Sequence, residues 1–192
     1  MLFAERALMF SPSQFLLAPL SRELGGLILQ WRNSPRIRQA MLNDRPIAPE
    51  EHAKWLARVL HDDSVRYRVL FLDQVPVGLV NFTGISPQRK CCNWGFYLGE
   101  PGLPKGTGTA LVYYGLNYAF AELPFVREII GAALCSNLPS IALHKRLGFI
   151  ETGVREVTRS GGAEPMVSFT LSRDVWTEVQ HSIAKQLFEE AY

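Results

Sequence analysis

Apolar and polar positions along this chain fall into blocks whose period changes from one block to the next. Gln14–Ala18 is a short apolar run bounded by Pro12 and Pro19, which predicts a first strand. After Ser21, the residues Leu24, Leu27, Ile28 and Trp31 recur at helical spacing until Ser34-Pro35 breaks the pattern, and Ile37, Ala40 and Met41 continue it as a turn-like piece. Pro49-Glu50-Glu51 opens a second helix running to about Leu60. A first turn has free N–H groups, so it tolerates proline and favours negative charge. His52, Trp55, Leu56, Val59 and Leu60 form the inner face of this helix.

Three strand-like runs follow: Arg66–Leu72, then Val75–Phe82 across a tight Asp73-Gln74 turn, then Cys91–Leu98 after a polar turn at Ser86–Lys90. Gly106 and Gly108 lead into an apolar-periodic helix, Thr109–Leu123. Val126–Leu134 reads as a strand and Pro139–Leu147 as a short helix with Gly148 as its C-cap. Ile150–Ser160 and Glu164–Leu171 flank a hairpin turn at Ser160-Gly161-Gly162. A last helix spans Arg173 to Tyr192, with Val175, Trp176, Val179, Ile183 and Leu187 along one stripe, suited to packing on the sheet or to a homodimer contact. A meander followed by strands around two helices predicts an α+β (mixed α/β) fold, and it speaks against a doubly wound nucleotide fold.

The 192 residues fit a single domain over 1–192, with a core at about 14–172. With 20 Lys+Arg against 18 Asp+Glu the net charge is +2, and there is no basic run, so nucleic acid is a poor partner. Cys91, Cys92 and Cys135 make neither a disulfide framework nor a metal-ligand ladder, and no metal is expected. The apolar N-terminus is interrupted by Glu5 and Arg6 and has no small-residue cleavage site. No run reaches the ~18 apolar residues of a spanning helix, so the expectation is a cytoplasmic protein with no membrane partner.

Two segments carry candidate chemistry. In Leu98-Gly-Glu-Pro-Gly-Leu-Pro-Lys105-Gly106-Thr107-Gly108-Thr109-Ala110 a strand ends, a glycine-rich turn follows and a helix begins. That arrangement aims backbone N–H groups and a helix dipole at one spot, where a pyrophosphate can sit. Lys105 adds charge, and Thr107 and Thr109 add hydroxyls. Leu111 stands where a dinucleotide fingerprint needs its third glycine, and no Gly-Lys-[Ser/Thr] closes a Walker loop. A plain glycine turn before a core helix satisfies the same pattern. In Asn137-Leu-Pro-Ser140-Ile-Ala-Leu143-His144-Lys-Arg146-Leu147-Gly148-Phe149, the residues Ser140, Leu143, His144 and Leu147 share one helix side. His144 is then either a directed titratable group or a partly exposed helix histidine.

Together the two segments resemble the acetyl-CoA site of the GNAT acetyltransferase superfamily. The first is similar to its pyrophosphate loop, [Gln/Arg]-x-x-Gly-x-[Gly/Ala], through Gly106 and Gly108, with Leu103 in place of Gln or Arg. The second is similar to its Asn-x-x-[Ser/Ala]-x-x-[Leu/Phe]-Tyr-x-[Lys/Arg]-x-Gly-Phe motif through Asn137, Ser140, Leu143, Arg146, Gly148 and Phe149, with His144 in place of Tyr. The resemblance implies a mostly antiparallel mixed sheet, flanked by helices and splayed between its fourth and fifth strands, with acetyl-CoA as co-substrate in the split. Asn93–Gly99 is the implied fourth strand, with Phe96, Tyr97 and Leu98 against the pantetheine arm. Lys105 to Ala110, Asn137, Ser140 and Arg146 are the implied remaining cofactor contacts.

A narrower resemblance runs through Trp31-Arg32-Asn33-Ser34-Pro35, Met41 and Glu50-Glu51-His52-Ala-Lys-Trp55-Leu56. It is to the amino-sugar branch, the nucleotide-sugar N-acetyltransferases of pseudaminic acid synthesis in flagellin glycosylation; ribosomal-protein N-terminal acetyltransferases share a looser version. It implies that Arg32, Met41, His52, Trp55 and Asn93 line the acceptor side, with an amino-sugar nucleotide as the partner molecule. A 6-deoxy sugar offers a methyl face to Met and Trp and hydroxyls to Arg and His. Met41 and Trp55 also read as core, and Arg32 as a helix C-terminal charge. The resemblance implies oxyanion donors near Leu98 and His144 as the acid that protonates the thiolate, although a histidine can equally serve as base. Glu100, His52 and a water chain are the other candidate bases. A peptide-amine acetyltransferase and a non-catalytic acyl-CoA-binding module are the competing readings.

Overall fold

Strands β1 (Phe15–Pro19), β2 (Arg66–Leu72), β3 (Val75–Ser86) and β4 (Cys91–Leu98) of the computed structural model form an antiparallel meander. Residues 10–188 are described. The first nine positions, which carry much of the N-terminal reading, and the last four of the expected final helix lie outside them. The β2–β3 turn is closed by Asp73 and Gln74, both left-handed at φ 49° and 67°, the hand that matches the twist of the flanking strands. The chain continues through α4 (Thr107–Glu122), β5 (Glu128–Leu134), α5 (Leu138–Arg146), β6 (Ile150–Arg159), β7 (Gly162–Ser172) and α6 (Arg173–Phe188). Before β2 come α1 (Gly25–Asn33), α2 (Pro35–Arg38) and α3 (Pro49–Val59). The expected elements are all present, with ends that differ by a few residues.

The sheet order is β1-β2-β3-β4-β5-β7-β6. Among the described strands, β4–β5 is the one parallel pair, and it is short: Cys91↔Glu128, Cys92↔Ile129 and Asn93↔Ile130. Beyond Asn93 the two strands separate, while β5 stays paired with β7 along its whole length. Large rings pack together beside the fork. Trp94 stacks on Phe149 with centroids 5.0 Å apart, and the buried His144 ring lies against Trp94, Phe149 and Phe169. The mixed, splayed sheet of the expected fold class is thereby confirmed.

Strand alternation feeds two cores on opposite faces of the sheet. In β2, Leu70 faces a cluster with α4 and α6, while Val69 faces Ile28, Trp31 and Ile37 from α1 and α2. The α6 stripe is spent within the chain: Trp176, Ile183 and Leu187 are buried in the first cluster and Val175 and Val179 pack against it. Trp176 Nε1 donates to Asn117 Oδ1 at 3.0 Å, and the Arg173 guanidinium caps carbonyls of Phe120, Leu123 and Val126 at the end of α4. The last carbonyls of a helix need such donors, and a cation there also suits the dipole. No helix among the described residues is long and apolar enough to cross a membrane.

Candidate active site

The divergence of β4 from β5 opens a cavity of about 890 Å³ that runs from the fork to α1, α2 and α3. Gly99 N–H donates to Val77 O on β3, so by antiparallel alternation Tyr97, Gly95 and Asn93 also bond toward β3. The backbone groups of Trp94, Phe96 and Leu98 therefore face the split, where beyond the fork no strand receives them. Arg36 takes part of this edge, donating from Nη2 to Leu98 O at 3.1 Å and Gly99 O at 2.7 Å. That leaves the Leu98 N–H as a donor at the mouth of the fork. Sequence reading missed Arg36, because nothing marks an arginine after Ser-Pro as a strand-end clamp.

At the start of α4 the turn is built around Gly106, whose φ of 98° favours glycine and whose added Cβ would lie 3.0 Å from Phe10 Cε2. Leu103, at the position expected to carry Gln or Arg, packs against the core and anchors the loop by burial instead. Two expected donors are corrected. Thr107 is fully buried, and its hydroxyl and amide both donate to Pro104 O, at 2.8 and 3.2 Å, so they close the turn. Ala110 N–H makes the first bond of the helix, to Gly106 O at 2.9 Å. Among the described residues the amides of Gly106, Gly108 and Thr109 have no backbone acceptor, and Lys105 is exposed beside them. Arg146 of α5 donates to Thr109 Oγ1, bringing a second cation to the same turn. A cradle of free amides with two cations is a fitting receptor for a diphosphate.

Asn137 caps α5 by accepting from Ser140 N–H at 3.2 Å. One helical turn on, His144 is 1% exposed rather than partly exposed. Its Nδ1 lies 2.8 Å from Ser140 O, and since a carbonyl can only accept, Nδ1 carries the proton. Burial pushes the pKa of His144 below the ordinary histidine value, with the bond to Ser140 O opposing, so the neutral ring holds a lone pair on Nε2. Among the described residues that Nε2 has no partner, and neither has Trp94 Nε1. Both nitrogens would be 2.7 Å from a Cβ on Gly131, the first β5 residue past the fork.

Arg32, Met41, His52 and Trp55 form the wall of the cavity on its α1–α3 side. Arg32 Nη2 donates to Asn43 O, while its Nη1 is buried without a partner among the described residues. Burial pulls the Arg32 pKa down, and the nearby Tyr97 phenol opposes that. Tyr97 points its ring to this wall, edge-on to Trp31, and burial drives its own pKa well above the usual phenol value. His52 is buried with Nε2–H donating to Gly25 O at 2.8 Å, which ties α3 to α1 and leaves only Nδ1 for a ligand. Two residues fall elsewhere. Asn93 lies on the paired side of the fork, exposed, with its amide beside Gly84 rather than in the cavity. Glu100 accepts from Trp31 Nε1–H at 2.7 Å and lies outside the cavity lining.

Residues 14–150 match the acetyltransferase (GNAT) domain family. The chain belongs to the GNAT acetyltransferases. It is 37% identical over 97 residues to the acetyltransferase PseH of Campylobacter jejuni subsp. jejuni serotype O:23/36 (strain 81-176), covering 50% of this chain and 59% of PseH. The match thus spans little more than half the length of that relative. The GNAT fold here is similar to that of the spermidine N-acetyltransferase of Vibrio cholerae, solved with CoA and spermine, at TM-score 0.79, 21% identity and coverage of 86% of this chain and 99% of that one. It is similar to crystalline Campylobacter jejuni PseH at TM-score 0.63 and 23% identity, covering 83% and 99%. No group of three or more His, Cys, Asp or Glu that could hold a metal is present among the described residues of this GNAT chain.

Proposed function

We propose that this GNAT enzyme transfers an acetyl group from acetyl-CoA to the 4-amino group of a nucleotide-linked amino-deoxy sugar. One observation carries the choice of acceptor. The cavity is lined by Arg32, Arg36, Lys54 and Arg58 against a single carboxylate, Glu51, which is itself bonded to Arg45. A polyamine or a basic peptide would meet like charge there, whereas a nucleotide diphosphate meets cations. Met41 and Trp55 offer an apolar face and Arg32 Nη1 an unspent donor, which suits a deoxy sugar. The partial match to PseH supports the same class.

The free amides of Gly106, Gly108 and Thr109, with Lys105 and Arg146, would hold the diphosphate of acetyl-CoA. Trp94, Phe96 and Leu98 would pair with its pantetheine arm. The co-substrate supplies an activated acyl carbon; the chain supplies position, hydrogen bonds and a proton acceptor. Leu98 N–H donates to the thioester oxygen as it gains charge. His144, whose Nε2 carries a lone pair, serves as base, the second of the two roles open to it, and accepts the proton of the attacking amine. The carbon–nitrogen bond forms as the carbon–sulfur bond breaks and the thiolate leaves. Cys92 is no competing nucleophile, since burial raises its thiol pKa to about 12. We take attack to be direct, within a ternary complex.

The test is turnover of acetyl-CoA with a UDP-linked 4-amino-4,6-dideoxy sugar, with spermidine and with a short peptide. Intersecting double-reciprocal lines and highest kcat/KM on the sugar are expected. Parallel lines would remove direct attack, and faster turnover of the peptide or polyamine would remove the sugar.

A further inference from the structure

The tip of the β6–β7 hairpin lies outside the cavity, yet it grips the segment that forms the acceptor wall. Arg159, at the end of β6, has a side chain only 12% exposed. Its Nε donates to Met41 O at 3.1 Å and its Nη2 to Gln39 O at 2.9 Å, across about 120 positions of sequence. Its Nη1 meets Glu164 on β7, and Asp44 lies 3.6 Å from Nη2. Asp44 in turn accepts from the Ser160 amide and hydroxyl. Glu164 Oε1 accepts from Ser136 Oγ, one residue before Asn137, the cap of the helix that carries His144.

One guanidinium thus joins two parts of the enzyme that the sheet alone does not join. On one side are the carbonyls of the segment ending in Met41, whose side chain lines the acceptor end. On the other, through Glu164 and Ser136, is the junction of β5 with α5. A planar fork with several donors can satisfy carbonyls and carboxylates together, which a single ammonium cannot. Without it Asp44 and Glu164 would face each other as like charges, and the Met41 and Gln39 carbonyls would lose their donor.

We infer that Arg159 is a positioning residue for the acceptor: it fixes the Met41 wall against the β5–α5 unit, so the hairpin tip sets acceptor affinity without touching the acceptor. This rests on the acceptor end proposed above. Acetyl-CoA occupies the other end, so the two KM values should part company.

The experiment compares wild type, Arg159→Ala and Arg159→Lys in steady-state kinetics with the UDP-linked 4-amino-4,6-dideoxy sugar, alongside calorimetric acetyl-CoA binding and thermal melting. Both variants are expected to raise acceptor KM by about tenfold, the scale of one lost charge-assisted hydrogen bond, with acetyl-CoA affinity within twofold of wild type. The lysine variant keeps the charge and is the safeguard should alanine unfold. Unchanged acceptor KM in Arg159→Lys overturns the inference. So does a parallel loss of acetyl-CoA affinity and melting temperature, which marks a purely structural role. If wild type binds acetyl-CoA but does not turn over the sugar, the acceptor assignment fails instead, and the same comparison is run with the amine that is turned over.

Discussion

Trp94 and His144 bring two unbonded ring nitrogens, an N–H and a lone pair, to the same place above Gly131. Buried polar groups are rarely left without partners, and a catalytic role is one of the reasons for an exception. Here a donor and an acceptor both lie beside one glycine at the apex of the fork, where β4 and β5 part. Glycine at 131 is what permits both.

Gly131→Ala tests that space. The new Cβ would lie 2.7 Å from both His144 Nε2 and Trp94 Nε1, so one ring must shift. Overpacking of this kind costs about 1–3 kcal/mol, and misplacing a catalytic group costs up to ~10²-fold in rate. Thermal melting and kcat measured together check it. A variant with wild-type kcat would show that the ring positions do not matter.

His144 sets an acid limb. Burial lowers its pKa from the usual 6.5, so kcat/KM is expected to hold down to that pH and to fall below it. His144→Ala should lose ~10²-fold in kcat. The stability effect has the same direction: as pH falls below about 6.5 the unfolded chain takes up the proton first, so stability present above that pH is lost as pH drops toward the folded value. Buried His52, also lowered by desolvation, adds to that loss. A pH–rate profile with its acid midpoint above 7 would exclude His144 as the base.

Gly106 governs the diphosphate turn. With φ at 98° and Phe10 3.0 Å from an added Cβ, Gly106→Ala forces a left-handed alanine and a displaced ring. Strain of ~1–3 kcal/mol follows, and the amides of Gly108 and Thr109 lose their aim. Calorimetry with CoA should show affinity down by at least tenfold, while acceptor KM changes little. Wild-type CoA affinity would place the diphosphate elsewhere.

Arg32→Lys separates charge from geometry at the acceptor end. The lysine keeps a cation but cannot supply both the Asn43 bond and the unspent Nη1 donor. Acceptor KM is expected to rise about tenfold, the value of a hydrogen bond to a charged group, with acetyl-CoA binding intact. Equal KM in the two proteins would reduce Arg32 to packing.

Much of this site was legible along the chain because its chemistry is local. The glycine spacing at Gly106 and Gly108 and the Asn137–Phe149 run are short segments whose geometry follows from turn and helix rules. The resemblance implied Arg32, Met41, His52 and Trp55 as acceptor-side residues, and the structure places all four in the lining of one cavity. Asn93 was implied by the same resemblance, but its amide sits beside Gly84 on the paired side of the fork, because a motif match does not give the point at which β5 stops pairing. Thr107 was misread because a hydroxyl near free amides looks like a donor until Pro104 O is seen to take it.

By itself the sequence determined the elements, their order, the glycine turn and the two motifs that resemble the acetyltransferase family, since each depends on residues within a few positions of one another. Only the tertiary structure decided which proton His144 holds, where the β4–β5 pairing ends, and that Arg159 reaches Met41. Those depend on burial and on contacts made across as many as 118 residues, and no local pattern encodes the distance between such distant groups.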